Sequence, residues 1–248
     1  MKKIRIPLMM LLLAGAIACN KNDGLKTGIT ANVTASDAAD IVGSSLSANS
    51  NGFASISDDV TVNSQVYVNA HLACGTTKTD TLTKKSPTNA NVTFSYGLGY
   101  TYTLNCNNAG LPDNIIGKVN YSGNYSGPHI TSANTGNLTF RLAGLTPTAA
   151  NWVLNGTFLR SGSFSSKADT SNHGSSNLSV EVKDLVLTKP HRTVAGGTAT
   201  FTLTGSVPKK GSFSYAGTLV FNTDGTAKLT VNGNVYIIDL LTGEKRKG

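Results

Sequence analysis

Chemistry in this chain would have to start from its few carboxylates, histidines and cysteines. Aspartate and glutamate together number 13 in 248 residues, and only Glu181 and Glu244 are glutamates. Glycoside hydrolysis needs two acids facing each other across a cleft. Asp58-Asp59, Asp80, Asp113, Asp169 and Asp184 are available, but no spacing pairs them. Asp58-Asp59 reads as a solvated turn ahead of Val60. His71, His129, His173 and His191 stand at no metal-ligand spacing from one another or from a cysteine. Asp169, His173 and the serines around them imitate part of a hydrolase triad. The G-x-S-x-G elbow is missing, however, and Ser165 to Ser176 reads as a polar loop. Tyr96, Tyr100 and Tyr102 read as buried rings with hydroxyls turned to partners. The expectation is a protein that is not an enzyme, with neither a metal site nor a cofactor.

The three cysteines are Cys19, Cys74 and Cys106, and no C-x-x-C is present. Met1-Lys2-Lys3-Ile4-Arg5, an apolar run Leu8–Leu13 and the small residues Ala16-Ile17-Ala18 precede Cys19. Basic start, short apolar stretch and small residues make a secretory signal. The run is too short to span a bilayer, which takes about 20 apolar residues. Cysteine directly after the small residues resembles the lipobox of bacterial lipoproteins, although Ala16 stands where that family usually has Leu. The resemblance covers only the first 19 residues or so. It implies that residues 1–18 are removed, that Cys19 is acylated, and that the chain is anchored in the cell envelope, with the outer membrane as the expected address. Asp23 alone behind the cysteine leaves both leaflets open.

With one thiol committed to lipid, Cys74 and Cys106 remain. Two thiols in an oxidising compartment predict one disulfide. The formal charge of +8 falls to +5 when Lys2, Lys3 and Arg5 leave with the signal. The remaining basic residues are scattered apart from Lys209-Lys210 and Lys245-Arg246-Lys247. No basic stripe alternates with aromatics, so nucleic acid is not an expected partner. Asp80-Thr81-Leu82 resembles a short O-glycosylation acceptor of some secreted bacterial proteins, which would make Thr81 a sugar site. Read by itself it is an ordinary loop.

Residues 19–34 read as the acylated cysteine and a polar tether, and 35–52 as one short helix and a linker. Ser36 suits the helix cap, Asp37 its positive end, and Ile41, Val42 and Leu46 one face. From 53 to 248 the period is two. Val66, Val68, Ala70 and Leu72 alternate with polar residues, as do the stretches from Val92 to Leu104 and Ile115 to Tyr125 and most later segments. That pattern predicts an all-β domain of about ten to twelve antiparallel strands, wetted on one face, as a curved sandwich or barrel. Parity through Tyr96-Gly97-Leu98-Gly99-Tyr100 suits a hairpin with a three-residue loop, and one unbroken strand is the alternative. Asp224-Gly225 marks a second hairpin. Parity also turns Cys74 and Cys106 toward the core.

Five glycines recur between large apolar residues on the inward face: Gly123, Gly156, Gly205, Gly217 and Gly233. Inward glycine lets a sheet coil, with aromatics covering the gap. Alternatively these glycines line a trough for an apolar, lipid-like ligand. The leading expectation is a lipid-anchored envelope protein with a binding or structural role. Its partners would be the membrane through the anchor, and an apolar ligand or an envelope glycan or protein.

Overall fold

The computed structural model describes residues 33–248. The signal, Cys19 and most of the tether lie outside the described residues. Two helices, α1 (Ala35–Leu46) and α2 (Phe53–Asn69), come first. Eleven strands follow: β1 (Thr77–Lys85), β2 (Thr93–Cys106), β3 (Pro112–Ser126), β4 (Ile130–Ala143), β5 (Asn151–Ser166), β6 (His173–Thr188), β7 (Val194–Val207), β8 (Gly211–Phe221), β9 (Thr226–Val231), β10 (Asn234–Asp239) and β11 (Lys245–Lys247). Every strand pairs antiparallel with its sequence neighbour, giving one sheet in the order β1 to β11. The sheet is curved and unclosed, so the choice between sandwich and barrel resolves into a single open sheet. Its edges, β1 and β11, carry Lys78, Lys84 and Lys85 on one side and Lys245-Arg246-Lys247 on the other. Charge on an exposed edge discourages further strand addition.

Both helices pack on the inner face of the sheet, within one core of buried side chains. Helix α1 is capped by Thr34, two residues before the expected Ser36: the Asp37 N–H donates to Thr34 Oγ1 (3.1 Å), and the Thr34 N–H donates to Asp37 Oδ2 (2.8 Å). This reciprocal box satisfies two amides that would otherwise lack partners. Lys245 of β11 forms an ion pair with Asp40 and ties the last strand to α1.

Helix α2 corrects the expected strand at Val66–Leu72 and the expected turn at Asp58-Asp59. Its buried face is Phe53, Ile56, Ser57, Val60, Thr61 and Ser64, which is helical spacing. Half of that face is hydroxylated, which hid the helical period. Phe53 packs edge-on to Phe158 (5.8 Å between centroids) and against Phe221 (6.1 Å). Asp59 accepts from Tyr100 Oη (2.9 Å) and pairs with Lys84 Nζ (2.6 Å), fastening α2 to β1 and β2.

The three-residue hairpin at Gly97–Gly99 is likewise corrected. Strand β2 runs through it, pairing Leu98 with Leu82 on one side and Tyr121 on the other. Gly97 and Gly99 point their missing side chains into open space. Parity is preserved by an unbroken strand and by a three-residue loop alike. The available partner on each side decided between them. Strand β1 was missed because it is an edge whose residues are almost all exposed. The turn at Asp224-Gly225 forms as expected, with Gly225 at φ 78°.

Cys74 and Cys106 form the disulfide, with Cα atoms 5.6 Å apart. Cys74 is exposed in the α2–β1 connection rather than turned to the core, because Leu72 precedes no strand. The bridge closes a separation of 32 residues. Constraint of the unfolded chain by such a loop contributes about 3–4 kcal/mol.

The inward glycines meet aromatic rings. Register sets Gly123 opposite Tyr96, Gly205 opposite Phe213 and Gly217 opposite Phe201. A Cβ added to Gly123 would lie 2.4 Å from the Tyr96 ring, and one on Gly205 2.4 Å from the Phe213 ring. Gly156 abuts the backbone of Thr139 and Phe140. These rings lie across the glycines and fill the space, the device that lets a sheet coil without a void. Gly233 departs from the inward pattern. With Asn232 it forms the two-residue β9–β10 turn, both residues at positive φ (47° and 75°).

Candidate functional site

A cavity with a volume of about 550 Å³ lies at one end of the sheet, under the start of α2. Small-molecule sites span roughly 300–1,000 Å³ and are mostly apolar. Phe53 and Ala54 of α2, Leu185 and Leu187 of β6, Phe221 of β8 and Leu240 after β10 supply its apolar wall. Gly123, Gly156, Gly205, Gly217 and Gly233, the residues expected to line a trough, do not border it.

A β-bulge places the two leucines. Along β6, Leu178, Val180 and Val182 are buried on even numbers, then Leu185 and Leu187 on odd. Pairing with β5 slips between Leu154 and Gly156, and Asp184 adopts φ 51°. One extra residue in a strand swaps the faces of everything after it. The Asp184 N–H displaced from the ladder donates to Asn155 Oδ1 (2.9 Å). The signal was present as Lys183-Asp184, two polar residues in a row that break the alternation.

Backbone bonds assemble the other walls. Ala48 N–H donates to the Leu240 carbonyl (2.8 Å), Asn49 N–H to Leu241 (2.9 Å) and Leu240 N–H to Gly225 (2.9 Å). The α1–α2 connection, the β10–β11 loop and the β8–β9 turn are thereby held together around the opening. Leu241 stands at that rim with 60% of its surface exposed.

Asp58, Arg192 and Asp224 supply the charge of the opening. Arg192 Nε meets Asp58 Oδ1 at 2.5 Å, joining the β6–β7 loop to α2. Arg192 also borders a second cavity of about 260 Å³, beside Val62, Trp152 and Lys189. The ion pair is thus the partition between two spaces along α2. Asp224 is exposed, and its hydrogen bonds from Thr226 hold its carboxyl below the usual range. Lys189 Nζ lies 5.2 Å from the Trp152 ring centroid and donates to the Thr146 carbonyl (2.9 Å). Burial lowers its pKa.

Asp169 and His173, the pair that imitates part of a triad, do not border the cavity. Asp169 accepts from the Ser171 N–H (2.9 Å) and hydroxyl (2.6 Å), and His173 Nδ1 lies 2.9 Å from the Thr170 carbonyl. Those contacts close a local turn. Thr81 is exposed on β1, paired with Gly99, in a strand rather than a loop. Among the described residues no group of three or more His, Cys, Asp or Glu is placed to hold a metal. No helix among them is long and apolar enough to cross a membrane.

Parity alone also foretold a buried cation that the reading of the sequence passed over: Arg160, two residues beyond Phe158, is 4% exposed. Its guanidinium donates to Tyr96 Oη (3.2 Å), to Ser132 Oγ (3.3 Å) and, with the Asn134 amide oxygen turned toward it, to that oxygen (2.6 Å). Neutral oxygens alone receive these bonds, so the cluster is a structural tie between β2, β4 and β5. A shallow hollow of about 350 Å³ borders β3, β4 and β5, lined by Ser122, Gly123, Asn124, Thr135 and Ser161 among others, and contains no aromatic platform.

Compared with protein-family models, with curated proteins and with solved structures, the chain matches none.

Proposed function

We propose that this chain is a lipid-anchored cell-envelope protein that holds an apolar small molecule without reacting on it. The cavity of about 550 Å³ under α2 carries this reading. Its wall is mostly aliphatic and aromatic, its charged groups sit at the opening, and its apolar rim residue Leu241 faces solvent. An apolar guest would leave water for that wall at about 25 cal/mol per Å² of surface buried. The lipobox-like start through Cys19 supports the anchor and the envelope address. The ligand site differs from the trough expected along the glycines, because aromatic rings occupy that face.

The test uses the chain carrying Cys19→Ser, which has no attached acyl group to compete, and the apolar fluorophore N-phenyl-1-naphthylamine. Saturable enhancement of its fluorescence is expected. Ala54→Trp places an indole in the cavity and should weaken binding at least tenfold. Ala216→Trp, on the exposed face of β8, should leave it unchanged. Equal binding by all three proteins would remove the cavity from the reading.

A further inference from the structure

The second cavity along α2, of about 260 Å³, gathers positive charge with no acid of its own. Val62, Gln65 and Asn69 of α2 form one side, Trp152 of β5 another, and Lys189 and Arg192 of the β6–β7 loop a third. Among the described residues no aspartate or glutamate borders it. Backbone bonds fix the loop. The Arg192 N–H donates to the Thr188 carbonyl (2.7 Å), the Thr188 N–H to Thr193 (2.9 Å) and the Lys189 N–H to Ala150 (3.1 Å). A tight turn therefore places both cations, and both stay within reach of solvent. The Arg192 side chain is 37% exposed and Lys189 is half-buried.

Two features set Lys189 apart from an ordinary lysine. Lys84 and Lys245 are also half-buried, and each pairs with a carboxylate, Asp59 and Asp40 respectively. Lys189 Nζ has the Thr146 carbonyl and the Trp152 ring beside it, and both are neutral. A charge drawn part-way out of water is costly unless an opposite charge meets it. Burial holds this ammonium below its usual pKa. The second feature is Arg192, which converges on the same space. Asp58, which borders only the larger cavity, takes Arg192 Nε, and Nη1 reaches the Pro190 carbonyl (3.4 Å). Nη2 has no bond among the described residues. Lys210 is also half-buried and bonded to neutral oxygens, but it borders neither cavity and has no second cation beside it.

We propose that this cavity is an anion site whose ligand is a small organic monocarboxylate with an apolar body, received by Lys189 Nζ and Arg192 Nη2. Lys189, Arg192 and Asp58 together carry one net positive charge, which one carboxylate balances and a phosphate dianion would exceed. Charge-assisted hydrogen bonds of this kind are about twice as strong as neutral ones. Val62, Trp152 and Pro190 supply apolar contact beside the charge. The volume falls below the roughly 300 Å³ at which drug-sized sites begin, so the body is a single ring or a short chain. The site is distinct from the apolar cavity and stands whether or not that cavity is filled.

Trp152 is the one tryptophan of the chain, so its emission reports on this cavity directly. The Cys19→Ser chain is titrated at neutral pH and constant ionic strength with cyclohexanecarboxylate and with cyclohexanecarboxamide, which are alike in shape and differ in charge. The acid should change the emission saturably, and the amide should bind about tenfold more weakly or worse, the factor a charged hydrogen bond carries. Lys189→Gln should remove most of that preference, Lys189→Arg should keep it, and Lys210→Gln should leave it untouched, with circular dichroism showing each variant folded. Equal affinities for acid and amide would overturn the anion site. So would a preference that survives both Lys189→Gln and Arg192→Gln, or an acid that gives no saturable change.

Discussion

Adding the same methyl group at two glycines of this sheet should change stability in opposite directions. In Gly205→Ala the new Cβ would meet the Ser175 carbonyl oxygen at 2.2 Å and the Phe213 ring at 2.4 Å. Phe213 is 2% exposed and packed edge-on to Phe164, so its ring has little room to retreat. The backbone oxygen belongs to the neighbouring β6. Both contacts can be relieved only by shifting a strand or tilting a buried ring. Overpacking of that kind costs about 1–3 kcal/mol. In Gly97→Ala the new Cβ would meet nothing within 4 Å. Gly97 is exposed in the middle of β2 and lies outside the left-handed region. Alanine there restricts the unfolded chain and should stabilise by roughly 0.5–1 kcal/mol. For a domain of this size each kcal/mol corresponds to about 2–4 °C in midpoint. Gly205→Ala should therefore melt roughly 2–12 °C lower, and Gly97→Ala about 1–4 °C higher, by circular dichroism of the β signal. Urea titration at fixed pH should give the same order. Phe213→Leu in the Gly205→Ala background should recover part of the loss, since the ring clash is relieved and the carbonyl clash stays. Equal shifts for the two alanines would mean that the rings do not fill the glycine positions, and the account of sheet curvature would fail.

Alkaline titration reports on the polar ties of α2. Burial, reinforced by the Asp59 charge and hydrogen bond, raises the pKa of Tyr100 far above its ordinary value, and burial does the same to Tyr102. Raised values mean that the folded state keeps protons the unfolded state has released. This contribution is whole below about pH 10, the ordinary tyrosine value, and is lost progressively as the pH climbs above it. The urea midpoint should fall steeply above pH 10, and Tyr100→Phe should flatten that fall; an unaltered profile in the mutant would contradict the assignment. At the other end of the molecule, palmitate labelling in a lipoprotein-processing bacterium should mark the native chain and vanish with Cys19→Ser, whereas a label that persists would refute the anchor.

Much of the sheet could be read from alternation because each strand needs only its neighbours to bury one face. Tyr100, Tyr102 and Leu104 face inward by parity, and Asp224-Gly225 turns the chain without help from afar. The Cys74–Cys106 pair followed from the cysteine count, with Cys19 set aside. Helix α2 escaped notice because Ser57, Thr61 and Ser64 occupy half of its buried face, so hydrophobicity carried too little of the helical period. Strand β1 has almost no buried residue and exists by pairing with β2. Neither property can be seen in the segment alone.

What the residue order determined by itself is the two-residue rhythm of β2 to β10 and the half-buried sheet that rhythm demands. These are local, since a pleated strand shows its faces within a few residues. Only the tertiary structure decided that the sheet stays open under two helices, that rings seal its glycines, and that Phe53, Ser57, Leu187, Phe221 and Leu240 surround one space. Those residues span most of the chain, and a single added residue at Lys183-Asp184 turns two of the walls inward. A cavity is a property of where distant segments stop, and no spacing along the chain records it.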